Sequence, residues 1–169
     1  MLEKIAFGGG CHWCTEAVFQ ILVGVHKVEQ GYVASINKEA HFSEAVIVHF
    51  NRKCITLKSL IRIHLLTHAS QSNHRMRNKY RSAVYTFSNS QSEAVKELMV
   101  ILQNEFEDKL VTQVLPFHEF KSSREEITNY YIKNPRKPFC EIFIKPKLQR
   151  LLEQYSDRVD PNKIKHFNL

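Results

Sequence analysis

The chain has 169 residues, a formal charge of +7 from 24 basic and 17 acidic side chains, and 43% hydrophobic, 11% aromatic and 24% charged content. This length supports one substantial core rather than two, and the composition excludes fibrous and intrinsically disordered classes. No stretch approaches the roughly 18 successive apolar residues of a membrane span, and MLEKIAFGGG does not resemble a secretory signal, so no membrane association and a cytoplasmic location are expected.

Lys4 to Phe7 reads as a short strand that stops at Gly8-Gly9-Gly10. Beyond it Trp13, Ala17, Val18, Ile21, Leu22 and Val25 recur at helical spacing, which gives strand, glycine loop, helix. His26 to Tyr32 and Ala45 to Phe50 read as strands, the second so apolar (AVIVHF) that it belongs in the interior of a sheet. Thr56 can cap a helix with Leu57, Leu60, Ile61, His64 and Leu65 on one face. Residues 67 to 79, THASQSNHRMRNK, are polar and aperiodic, a loop long enough to carry function.

A strand over Ser82 to Phe87 and a clear helix from Ser90 to about Glu107 follow. Thr112 to Leu115 makes a fifth strand, ended by Pro116; a short helix is expected over Arg124 to Ile132 and a last one over Pro146 to Tyr155. Several connections are too short for a crossover helix, so the expected fold is α+β, a mixed or antiparallel sheet covered on one face. Residues 1–155 are expected to form a single domain and 156–169 a polar C-terminal tail, its one loose end.

The basic side chains concentrate in His74-Arg75-Met76-Arg77-Asn78-Lys79-Tyr80-Arg81 and through Lys133, Arg136, Lys137, Lys145 and Lys147. No nucleic-acid motif accompanies them, so a solvated basic surface is expected and nucleic-acid binding is not. Four cysteines in a chain of this kind point to thiol chemistry or metal binding rather than to a disulfide framework.

GGGCHWCTEAVF, residues 8 to 19, decides between them. The glycines permit a sharp turn and place Cys11 at the first turn of a helix, where unpaired N–H groups and the helix dipole favour a thiolate. Cys14, three residues on, can reach the same helix end and attack a sulfenic acid formed on Cys11. The alternatives are two buried small side chains or half of a zinc site. Zinc needs two further ligands, for which only the distant His64 and His68 offer themselves, so no metal is expected.

This run resembles the glycine-cysteine-phenylalanine-tryptophan signature of the A-type peptide methionine sulfoxide reductases. QGYVAS (30–35), FSEAVIVHFN (42–51), KYRSAVY (79–85), VTQVLPFHEF (111–120) and NYYIKNP (129–135) resemble family blocks in the same order, so the likeness covers about residues 3 to 155. The resemblance implies a two-layer α+β fold related to the ferredoxin-like topology, with the 1–155 domain catalytic. It also implies thiol-dependent reduction of methionine-S-sulfoxide, free or in oxidised proteins. No cofactor is bound; an external thiol, thioredoxin or dithiothreitol, supplies the electrons to what is expected to be a monomer.

By the same resemblance Cys11 is the nucleophile and Glu44 the acid, Tyr32 and Tyr80 hydrogen-bond the sulfoxide oxygen, and Trp13 walls the substrate methyl group. Read from the residues alone, Glu44 heads an apolar strand where desolvation would preserve its proton, or is a carboxylate at a strand edge facing water. The tyrosines and Trp13 are otherwise ordinary sheet or core aromatics.

The chain departs from the family pattern at His12, which stands for phenylalanine in the methyl-binding wall and could pair with Cys11 or pack against the substrate. Arg75, Arg77 and Lys79 replace aspartate, glycine and glutamine before Tyr80, and Ile127-Thr128 replace a histidine-glutamine pair. Cys14 is the expected resolving thiol, with Cys140 as the alternative and Cys54 structural. Two other readings stay open: a thioredoxin-type disulfide oxidoreductase built on Cys11 and Cys14, and a non-catalytic binder of oxidised methionine.

Overall fold

Ile5, Phe7, Val46, Val48, Phe50 and Val84 alternate along the chain with Ala6, Ala45, Ile47, Ala83 and Tyr85, so the strands carry apolar side chains on both faces. In the computed structural model, which describes residues 1–169, six strands form: β1 (Glu3–Gly8), β2 (Val25–Ala34), β3 (Ser43–Phe50), β4 (Ala83–Thr86), β5 (Gln113–Pro116) and β6 (Glu119–Ser122). They lie in the order β5-β4-β1-β3-β2-β6. Every neighbouring pair is antiparallel except β4 with β5. The one parallel pair is joined through a whole helix, α3 (Asn89–Gln103), as a parallel connection requires.

Helices α1 (His12–Gln20), α2 (Leu57–Thr67), α3 and α5 (Lys145–Gln154) cover one face of the sheet and enclose a core of 29 buried residues. The opposite face has a six-residue cluster, flanked by Phe87, Leu115, Phe117 and Phe120. Buried Arg81 fastens the 37–42 segment on that side, pairing with Glu39 and donating to the His41 carbonyl and the Tyr85 hydroxyl. This is the two-layer α+β arrangement expected, with the apolar strand β3 between β1 and β2. The expected cap of α2 is present: Thr56 Oγ1 accepts from the Ser59 N–H at 3.1 Å, worth about 1 kcal/mol.

Several boundaries differ. The helix expected to reach Glu107 ends at Gln103, whose side chain fastens the following turn by accepting from Leu110 N–H and donating to Asp108 O. Edge strand β6 was not expected, because EFKS is mostly exposed and lacks an apolar face. The single helix expected over 124–132 is broken by Asn129, whose φ of 52° lies in the left-handed region, into a 3-10 turn (Glu125–Ile127) and α4 (Tyr130–Lys133). A π turn, Cys140–Ile144, leads into α5.

Residues 156–169 are not a loose end. Arg158 and Asp160 exchange backbone hydrogen bonds with Val23 and Ile21, and Val159 bridges Leu22. Lys163, in α6 (Pro161–Ile164), donates to the Leu22 carbonyl at 2.7 Å. Phe167, 3% exposed, stacks on Tyr131 and accepts its hydroxyl at the carbonyl. Two apolar anchors in a polar segment show no period, which is why the docking could not be read from the sequence.

Candidate active site

The register of β2 on β3 sets Tyr32 directly opposite Glu44, so both side chains stand on the face that carries Val46 and Val48, toward the helices. Phe7 of β1 pairs with Val46, so β1 ends at Gly8 just where β3 begins, and the chain turns there into α1. Two of the three glycines are needed for that approach. A Cβ on Gly8 would lie 2.9 Å from Arg81 O, and one on Gly9 would fall 2.4 Å from the His68 ring; beside Gly10 there is open space.

Cys11 is the N-cap of α1 and accepts at its carbonyl from the Cys14 and Thr15 N–H groups. The Cys11 and Cys14 side chains, three residues apart at the helix start, act on each other. The Cys14 hydrogen bond and burial push Cys11 up, while that same bond holds Cys14 down against its own burial, with Lys147 assisting. The Trp13 N–H at the helix start pulls Cys11 toward the thiolate. Cys11 is the half-exposed partner and Cys14 the buried one, so Cys11 is the more accessible thiol.

Glu44 is 6% exposed and its pKa is raised by burial, against Lys79, the His12 backbone N–H and the Tyr80 hydroxyl, which pull the other way. Its Oε2 has no hydrogen-bond partner. His12 does not pair with Cys11 and does not offer its ring to a methyl pocket. It is 2% exposed, its Nδ1–H donates to the Gly31 carbonyl at 2.8 Å, its Nε2 lies 3.0 Å from Glu44 Oε1, and its ring meets Tyr32 edge-on at 5.2 Å.

Trp13 is half-buried and stacks on Tyr130, centroids 3.8 Å apart and planes within 7°, with Phe139 edge-on at 5.3 Å. Tyr130 lies in the NYYIKNP block but carried no assigned role in the sequence, and Phe139 had no signal of its own. They reach Trp13 because buried Glu16, on α1, accepts the Tyr130 N–H at 3.1 Å.

The loop before Tyr80 is tied down by Arg77. Its guanidinium donates to Gly9 O at 3.0 Å and Tyr80 O at 2.9 Å, and to the Ala69 and Ser72 carbonyls. One side chain thus joins the glycine loop to the loop carrying Tyr80. Arg75 is exposed, and the exposed Lys79 lies over the Tyr80 ring at 5.1 Å. His64 Nε2–H donates to Gly8 O, and His68 bridges the His64 carbonyl and the Ser82 hydroxyl. Burial holds both neutral, His68 at about 4. Cys140 is buried in the π turn near Cys14, whereas Cys54 is exposed against Gly24, past the far end of α1.

A helix-capping thiol with a second thiol three residues on, facing a buried carboxyl whose pKa is raised by burial, equips this fold for thiol-dependent oxidoreduction. Residues 3–159 match the family described as peptide methionine sulfoxide reductase. The peptide methionine sulfoxide reductase MsrA of Trichodesmium erythraeum is 35% identical over 94% of this chain and 99% of its own. Mxr1 from Saccharomyces cerevisiae in reduced form superposes with a TM-score of 0.72, at 22% identity over 82% of this chain and 89% of that one. A second Mxr1 structure, in complex with Trx2, gives 0.61 at 20% identity over 74% and 83%. The chain belongs to the A-type peptide methionine sulfoxide reductases, and its activity is thiol-dependent reduction of methionine sulfoxide.

Proposed function

We propose that Cys11 attacks the sulfur of methionine-S-sulfoxide while Glu44 protonates its oxygen, with the Tyr32 and Tyr80 hydroxyls orienting that oxygen. The Trp13–Tyr130–Phe139 cluster receives the methyl group, and this opposition of donors and apolar wall selects the S epimer. Reduced methionine leaves and Cys11 becomes a sulfenic acid. Cys14 then attacks it, forming the Cys11–Cys14 disulfide and releasing water. The oxygen takes one proton from Glu44 and one from the thiol pair, so atoms and electrons balance. An external thiol then reduces the disulfide. We assign that role to thioredoxin in a cytoplasmic monomer, in line with the yeast relative solved with Trx2.

The observation that carries this reading is the half-exposed Cys11 at the N-cap of α1, with buried Cys14 three residues on and the buried Glu44 carboxyl beside the helix start. Incubation with a methionine-S-sulfoxide peptide and dithiothreitol, beside Cys11→Ser and Cys14→Ser, tests it. S-epimer turnover that vanishes in Cys11→Ser is expected, and wild-type turnover in that variant overturns the reading. Loss of thioredoxin-driven turnover in Cys14→Ser is expected; its survival moves the resolving role to Cys140. Free methionine-S-sulfoxide in the same assay ranks the two substrate forms, with the open, half-exposed Cys11 predicting turnover of both.

A further inference from the structure

His12 stands where the resembling signature has phenylalanine, and its two ring nitrogens are both engaged. Nδ1 lies 2.8 Å from the Gly31 carbonyl, which has no proton to give, so Nδ1 carries the hydrogen and donates it. In the neutral ring Nε2 is then a bare lone pair. That lone pair lies 3.0 Å from Glu44 Oε1, itself an acceptor when ionised. Two acceptors do not sit at hydrogen-bond distance without a proton between them, so the pair holds one. Either a carboxylic acid donates to a neutral imidazole, or an imidazolium donates to a carboxylate.

Burial chooses the first arrangement. Both groups are more than nine-tenths buried, where separated charges lose their hydration. The surrounding groups are Cys11 and Cys14 from α1, Tyr32 from β2, and Lys79 and Tyr80 from the loop. Lys79 opposes a cation on His12 and, with Tyr80, favours a carboxylate on Glu44, yet burial is the largest influence on both partners. It drives His12 down and Glu44 up, toward the neutral pair.

We propose that His12 is a positioning residue that keeps Glu44 protonated, accepting the hydrogen bond of its carboxyl O–H at Nε2 in the resting enzyme while Glu44 yields that proton to the sulfoxide oxygen during attack. This rests on the role given to Glu44 above. As Cys11 bonds to sulfur the sulfoxide oxygen gains negative charge and becomes the stronger acceptor, so the proton leaves Oε1 for that oxygen. Glu44 is left as a carboxylate facing the His12 lone pair, an arrangement that draws a proton back from solvent before the next turnover. In this chain a fixed acceptor adds to desolvation, with its tautomer set by the β2 backbone.

Nitrogen-15 NMR of the histidine rings in the wild-type protein at pH 7 reads the pair directly. A neutral His12 with its hydrogen on Nδ1 and a hydrogen-bonded Nε2 is expected. An imidazolium, or the Nε2–H tautomer, overturns the proposal. Kinetics give the second reading: His12→Phe keeps the ring's volume and the burial of Glu44 but removes the acceptor, so the basic limb of kcat/KM should move about one unit lower. This makes kcat/KM about tenfold lower than wild type at the alkaline end, with KM little changed. An unmoved limb overturns the proposal, and a loss equal at every pH assigns His12 a packing role only. If Cys11→Ser also turned over, the functional reading itself would fail; turnover confined to wild type with an imidazolium at His12 would reject the proton-holding role alone.

Discussion

The two segments that meet at the thiol pair are assembled by different physics. The glycine loop and the start of α1 bring Cys11, His12, Trp13 and Cys14 together within four consecutive residues, positioned by a turn and a helix end. The C-terminal segment brings Tyr130, Phe139 and Cys140 to the same place through contacts a hundred residues or more apart: Glu16 on the Tyr130 amide and Phe139 against Trp13. Further out, Tyr131 is held by Phe167. Damage to the first segment should therefore register in chemistry, and damage to the second in substrate affinity and stability.

Glu44→Gln keeps the side chain's shape but has no acidic proton, and should lower kcat by about 10²- to 10⁴-fold with a smaller change in KM. Steady-state rates on a methionine-S-sulfoxide peptide check this, and a loss confined to KM would separate Glu44 from the chemistry. Arg77→Lys removes the fork that ties Gly9 to Tyr80. A loss of about 2 kcal/mol in denaturant unfolding is expected, together with a fall in kcat of about tenfold, since both the thiol loop and Tyr80, proposed to bind the sulfoxide oxygen, lose their common anchor.

On the other side of the comparison, Phe167→Ala should destabilise the protein by about 3 kcal/mol while leaving kcat at its wild-type value, because it opens a cavity under the tail and touches none of the reacting groups. A large kcat effect would show that the tail and the thiol pair are one unit.

The smallest effect concerns pH. Glu16 has its pKa raised by burial, so the folded state binds its proton more tightly than the unfolded chain. Stability from this group is therefore fullest below the ordinary carboxylate value and falls as pH rises through the raised folded value. Glu16→Gln should flatten the decline of Tm between those two limits, and an unchanged slope would mean that Glu16 titrates normally.

Much of the fold was legible because its signals are local. The AVIVHF run made β3 interior, Thr56 marked the start of α2, and the Gly-Cys run gave both the helix end and its thiol. The helix over 124–132 was misread because one left-handed residue, Asn129, breaks it, and the polar composition of 156–169 hid two buried anchors. The candidate residues of the site could be named by type and order, but not their pairing. His12 stood beside Cys11 in sequence, and its partner turned out to be Glu44, 32 positions away.

By itself the sequence determined that the fold is α+β with a cysteine at a helix start, since turn chemistry, periodicity and helix capping act over a few residues. Only the tertiary structure decided which groups share protons. Strand register sets Tyr32 against Glu44, and the Gly31 carbonyl fixes the His12 tautomer. Arg77 joins two loops that no pattern connects. Those choices depend on distances through space and on burial, which sequence spacing does not carry.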